Sequence, residues 1–359
     1  MLENSMPLEG KKSRRRFPLG TGPRRFSPSY PQIMLLLTGL LCAAILLSLA
    51  HGRYPVGPRE LFALLFPEWA GGLRVNAPMR AILLKVRMPR IFLACMVGAC
   101  LSMAGAAYQG VFQNPLASPD VLGASSGAAA GAALAILLQL SRPLVTAFAF
   151  AGGLLTIAAV LLTARIGRGA KLLRIILTGI MISSLCNAGT SFIKLAADPN
   201  NILPEITYWM MGSLTKTKPA YVLFAAVPMT LGIIPLILLR WRVNLLTLPE
   251  GEALTMGVNV KLLRITAIVC ATLITAASVS VSGLIGWVGL VIPNLSRRLA
   301  GNDYRRLFPA CMLGGALFLL GVDNISRNLF LTEIPIGILT AIVGAPFFMW
   351  LILRKSEAV

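Results

Sequence analysis

Acidic residues, histidine and thiol pairs are what this 359-residue chain has little of. Only 13 residues are Asp or Glu, against 33 Lys and Arg. Charged residues make up 13% of the chain, where an ordinary soluble domain carries about 25%, so a water-solvated fold is excluded for most of its length. The apolar runs hold no paired carboxylates, no Ser/His/Asp set and no His-rich cluster, which argues against an intramembrane hydrolase and against a channel for a bare metal cation. A GxxxxGK[ST] phosphate loop is also missing, so the chain does not hydrolyse ATP itself. Six cysteines, Cys42, Cys95, Cys100, Cys186, Cys270 and Cys311, fall inside apolar runs without a CxxC pair. They read as small buried hydrophobes, and no metal site is expected. The single histidine, His51, ends the first apolar run and reads as a wet interfacial residue. The formal charge of +20 does not point to nucleic acid, because aromatics are sparse and the basic residues lie between apolar runs rather than along one face.

What is present is hydrocarbon. Apolar residues reach 56% and the mean hydropathy is +0.77. Windows long enough for bilayer crossings fall near 32–50, 88–111, 116–140, 144–164, 172–196, 220–240, 261–282, 286–300, 307–330 and 335–353, the eighth being too short for a simple crossing. The expected fold class is therefore an all-α polytopic membrane protein of about ten helices spanning residues 32–355. Residues 1–31, with LysLys at 11–12 and ArgArgArg at 14–16, cannot bury a core and are expected to form a disordered basic cytoplasmic arm. Residues 356–359 form a short tail. With the N-terminus cytoplasmic, ten crossings return the C-terminus to the cytoplasm, and 21 of the 33 Lys and Arg then fall inside, as the positive-inside rule requires. Seven of the remainder cluster at positions 53, 59, 74, 80, 85, 87 and 90. Basic charge on the outer face against that preference suggests an acidic partner there, with headgroup anchoring as the alternative. An internal echo is visible too: Ser102-x-x-Gly105 and Ser280-x-x-Gly283 are each followed by an Asn/Pro pair, suggesting two halves of inverted orientation.

The segment after Arg87 reads RMPR, then GAxLSxAGAxxQxxxxNPLAxPxxLGxSxGA, and near the C-terminus come GLIGWVGLVIPNLSRRLAG, VDNISR and EIPIGILTAIVGAPFFMWLILRK. These motifs closely resemble the FecCD-type permeases, membrane subunits of bacterial ABC importers for iron–siderophore complexes, haem and vitamin B12, over roughly residues 32 to 355. The resemblance implies a type II importer permease in the bacterial inner membrane. Its partners would be a second copy of itself or a close homologue, two ATP-binding cassette subunits that use ATP and Mg, and a soluble substrate-binding protein. It implies no cofactor on this chain. An iron–siderophore complex is the expected cargo as the family's commonest, with haem and cobalamin open. A secondary transporter working without ATP is the alternative, but it needs mid-span ionisable groups, and Lys194, Asp323 and Arg327 lie near predicted span ends.

Three sets of residues carry the expected mechanism. In the loop between spans six and seven, Pro249 suits a helix start, Glu250 and Glu252 its positive end, and Gly257 its stop. The stretch resembles the family's GExxAxxLG coupling element through Glu250, Gly251, Glu252, Ala253, Met256 and Gly257, with Met256 in place of the usual Leu and Pro249 of the usual Gly. Arg87, Arg90 and Arg327 match arginines that in the family meet glutamates of the binding protein; a private i,i+4 ion pair with Asp323 is the other reading of Arg327. Asn114 and Pro115 form the turn after span two, where Pro115 and Pro119 forbid an unbroken helix and where a cytoplasmic gate should lie. Gly337, Gly344 and Pro346 mark the last span as a close-packing surface.

Overall fold

The computed structural model describes residues 29–52, 56–65, 76–166, 171–215, 217–248, 252, 255–330 and 332–356. Among these there is helix and no strand. Residues 1–28 of the expected basic arm and the tail after Ser356 lie outside the described residues, while Tyr30 and Pro31, counted in the arm, open α1. The helices are α1 Tyr30–Ala50, α2 Pro58–Leu65, α3 Ala77–Ile82, α4 Met88–Phe112, α5 Ala124–Leu137, α6 Arg142–Ile166, α7 Lys171–Ala196, α8 Ile202–Met210, α9 Pro219–Leu238, α10 Arg240–Val243, α11 Val260–Ser282, α12 Val288–Ala300, α13 Tyr304–Asn328 and α14 Ile336–Ser356. A π-helical stretch, Leu83–Arg87, joins α3 to α4.

Seven stretches are long and apolar enough to cross a bilayer, counting α3 through α4 as one. Shorter helices α5, α12 and α14 complete the ten expected passages. α12 has 13 residues and so measures about 20 Å, short of a hydrocarbon core of about 30 Å. The third crossing starts at Ala124 rather than 116. Gln113 takes a left-handed backbone (φ 50°), the Asn114 side chain accepts from Leu116 N at 2.9 Å, and Pro119 opens only a 3-10 turn to Leu122. Asn114 thus caps a turn and not the helix expected there.

α4 is the centre, with every residue from Val97 to Phe112 buried. Apolar packing has no water to escape from in lipid, so helices associate where small residues let backbones touch. A Cβ on Gly98 would collide with the carbonyl of Gly315 on α13, one on Gly105 with that of Gly289 on α12, and one on Gly131 with that of Phe148 on α6. These pairs set the directions. Gly98 meets Gly315 and Gly110 meets Tyr304, so α13 runs antiparallel to α4. Gly289 lies against Leu101 while Asn294 donates to the Pro115 carbonyl at 3.2 Å, so α12 runs parallel to it. The Ser102/Gly105 and Ser280/Gly283 echo lies on helices of opposite direction: Tyr108 Oη meets Thr272 Oγ1 at 2.6 Å and Cys100 lies beside Ser278, so α11 runs antiparallel to α4. Gly105 sits inside α4, whereas Gly283 (φ +70°) ends α11. Arg327 reaches Ser48 at the end of α1, and Arg298 stacks on Trp350 of α14 at 5.3 Å. The beginning of α1, the end of α14 and Leu248, whose carbonyl faces Gln113, consequently share the Asn114 end of the molecule.

Gly105→Leu should destabilise the fold by about 1–3 kcal/mol or more through overpacking, whereas Gly321→Ala, with nothing within 4 Å of its new methyl, should change stability by less than about 0.5 kcal/mol. Thermal denaturation in detergent measures both.

Candidate functional site

At the end opposite Asn114, Arg90 makes a double fork. Its Nε lies 3.0 Å and its Nη2 2.8 Å from Asp323 Oδ1, and Nη1 and Nη2 donate to the Glu333 carboxylate at 3.1 and 2.9 Å. Arg327 Nε lies 3.2 Å from Asp323 Oδ2 and its Nη2 donates to Ser48 Oγ at 2.5 Å. Arg87 Nη1 donates to the Leu49 carbonyl at 2.5 Å. The planar guanidinium fork suits such bidentate pairing, and the cluster ties α1, α4, α13 and the loop before α14 together.

The three arginines expected to meet a binding protein are buried in the single chain. Arg87, Arg90 and Arg327 are only 5, 6 and 9% exposed, and their charge is turned inward, because a cation at a span end is more stable beside a buried carboxylate or carbonyl than in hydrocarbon. The exposed cations at this end include Arg59, Arg80, Lys85, Arg142 and Lys218. The i,i+4 pair of Asp323 with Arg327 is present. Sequence reasoning missed Glu333, whose only signal was its place at the head of the EIPIGILT motif.

Glu333 also accepts from Thr215 Oγ1 at 2.7 Å and lines a cavity of about 740 Å³. Trp209, Tyr208, Tyr221, Ser280 and Ser282 line it as well, and Arg142, Glu205 and Glu333 are its charged side chains. A second cavity of about 300 Å³ follows, bounded by Asp120, Ser125, Ser126, Ser183, Asn187 and the chain at 284–286.

The Asn114 end is stitched by neutral and charged hydrogen bonds. Asn244, just after α10, donates to Asp303 Oδ1 at 2.8 Å and accepts from Tyr304 N at 2.9 Å. Hydrogen bonding from Arg305, aided by Asn244, holds the Asp303 carboxyl down at about 2, so it stays ionised at physiological pH. Gln113 donates to the Leu246 carbonyl at 2.7 Å, and Arg297 joins Gln109 to Tyr304. The flank of the expected coupling loop is thereby bound to α4, α12 and α13. Of the coupling residues, Glu250, Gly251 and Ala253, with Pro249, lie outside the described residues. Glu252 and Met256 are exposed, Thr255 Oγ1 donates to the Glu252 carbonyl at 2.7 Å, and Gly257 has the left-handed φ of +72° that stops a helix. No group of three or more metal-ligating side chains occurs among the described residues.

Asp323→Ala should lower stability by about 3–5 kcal/mol, since it leaves two buried guanidinium groups short of their counter-charge. Arg80→Ala, on the surface, should be nearly neutral. The thermal midpoint of the purified chain separates the two.

The model of the FecCD transport family matches residues 40–354. The molybdate import system permease protein MolB of Haemophilus influenzae is 39% identical over 329 residues, covering 92% of this chain and 97% of that protein. The probable iron chelatin transport system permease protein of Helicobacter pylori is 41% identical over 273 residues, 76% of this chain and 82% of that protein. A solved structure described as an inward-facing conformation of a metal-chelate type ABC transporter superposes with a TM-score of 0.82 at 38% identity, covering 90% of this chain and all of that one. With its seven bilayer-length apolar stretches among the described residues, its two cavities and these relatives, the chain belongs to the FecCD transport family and is a permease of the ABC importer type.

Proposed function

We propose that the chain moves a metal chelate, with a ferric siderophore as its cargo, across the bacterial inner membrane by alternating access. The observation that carries this reading is the 740 Å³ cavity with its Trp, Tyr, Ser and Thr lining. That volume suits a bulky organic ligand and is far larger than a small oxyanion needs. Molybdate is the second reading, favoured by the 39% identical molybdate permease that covers 92% of this chain. The Arg90 end then faces outward and the Asn114 end, with both termini, faces the cytoplasm.

Two copies enclose the pathway in this reading. Only 11% of the apolar window of α7 is buried, and its exposed residues include Asn187, whose side-chain amide is ill suited to lipid and suited to a wet passage beside a second copy. Two separate ATPase subunits use ATP and Mg and seat the helix around Glu250, Gly251, Glu252, Ala253, Met256 and Gly257. Their closure displaces 244–257, and the hydrogen bonds of Asn244 and Gln113 carry that displacement to α13 and to the gate turn at Asn114 and Pro115. An acidic, two-lobed binding protein docks at the outer end. Arg59, Arg80 and Lys85 offer it exposed charge, and the Arg87, Arg90 and Arg327 cluster holds that surface in place. The chain itself is a transport subunit and not an enzyme.

Proteoliposomes holding the chain and its ATPase should take up ferric siderophore in preference to haem, cobalamin or molybdate, and uptake of molybdate alone would overturn the cargo reading. Replacing Glu252 by Arg together with Ala253 by Leu should reduce uptake at least about tenfold with membrane insertion unchanged, because a close-packed contact tolerates little added volume. Immunoblot of the membrane fraction beside the uptake rate checks this.

A further inference from the structure

The two cavities are in series, separated by a thin backbone partition. Ser282 and Gly283 line the larger one and Leu284, Ile285 and Gly286 the smaller, just as Trp209 lines the first and Met210 the second. Gly212 (φ +72°) and Gly283 (φ +70°) lie back to back at the partition, a Cβ on Gly283 falling 3.0 Å from Gly212 Cα. Ser213 N donates to the Ser282 carbonyl at 2.7 Å across it.

The chemistry of the smaller cavity is one-sided. Ser125 Oγ donates its proton to Asp120 Oδ1 at 2.5 Å, Ser126 Oγ donates to the Gly123 carbonyl at 3.1 Å, and Ser183 Oγ donates to the Gly179 carbonyl at 2.7 Å. Each hydroxyl has used its only hydrogen on the protein, so lone pairs are what it has left to offer. Asp120 adds a carboxylate, and no Lys, Arg or His lines this cavity. Asn187 alone keeps side-chain donors. Asp120 is exposed in the single chain and opens onto this cavity, so its charge is presented to whatever enters there. We propose that this cavity is a second station for the cargo, selective for cationic or hydrogen-bond-donating groups such as an ammonium or amide N–H, with Asp120 as its specificity-determining residue. This rests on the permease reading. It narrows the cargo to neutral or cationic chelates, since an anion at this point would meet a carboxylate and acceptor oxygens with only the Asn187 amide to offset them.

The test does not depend on knowing the cargo. In the full chain reconstituted in liposomes, Asn187→Cys is exposed to methanethiosulfonates carrying either a trimethylammonium or a sulfonate group, and modification at the introduced thiol is followed by peptide mass spectrometry, with rates normalised to a free thiol. The cationic reagent should react about tenfold faster, the effect of one unit charge at close range, and Asp120→Asn should bring the ratio to about one. Ser183→Cys serves as the reporter if Asn187→Cys fails to fold. Equal rates with Asp120 present, a preference that survives Asp120→Asn, a faster anionic reagent, or no reaction with either would overturn the proposal. The uptake assays above fail or succeed independently of this ratio, which separates an error about the station from an error about the transporter.

Discussion

Close approach of backbone to backbone through glycine is the constraint on which this molecule depends. In lipid there is no water to drive helices together, so van der Waals contact between small residues has to do it. The contacts of Gly98 with Gly315, Gly105 with Gly289 and Gly131 with Phe148 leave no room for a single methyl. They bring α12 and α13 against α4 and α6 against α5, and so fix where each polar side chain of these helices can lie.

Polar chemistry is then confined to the ends and to the passage. At one end the Arg90–Asp323–Glu333 cluster, with Arg327 and Ser48, joins four parts of the chain. At the other, Asn244, Gln113 and Arg297 join the segment 244–248 with the turns of α4 and α13. Between them, mid-helix hydroxyls such as Thr272, Thr275 and Ser278 donate to their own helix, so they cost little in hydrocarbon. The partition at Gly212 and Gly283 is the one place near the pathway where the helices give way to left-handed backbone on both sides, and there two cavities of differing character meet.

Much of the fold was legible because hydropathy reports the bilayer directly. Each of the ten apolar windows holds a helix, and the window judged too short is the 13-residue α12. The third start was misplaced because Leu116 and Ala117 are apolar, and hydropathy does not register the proline geometry around them. The charged site was less legible. Arg87, Arg90 and Arg327 were recognisable by motif, but burial is a property of the tertiary partner, and Glu333 lies 243 residues from Arg90. Asp120 follows Pro119 in the sequence without a signal of its own, since its place in a cavity depends on Ser183 and Asn187 from a helix some sixty residues later.

The central claim is that energy enters from ATP through the Asn114 end rather than from an ion gradient through the membrane interior. Proteoliposomes containing the chain, its ATPase and its binding protein, loaded with a labelled ferric siderophore outside and held at zero ion gradient, test it most directly. ATP supplied at the ATPase face should drive accumulation above the external concentration. Accumulation without ATP, driven by an imposed proton or sodium gradient, would contradict the account.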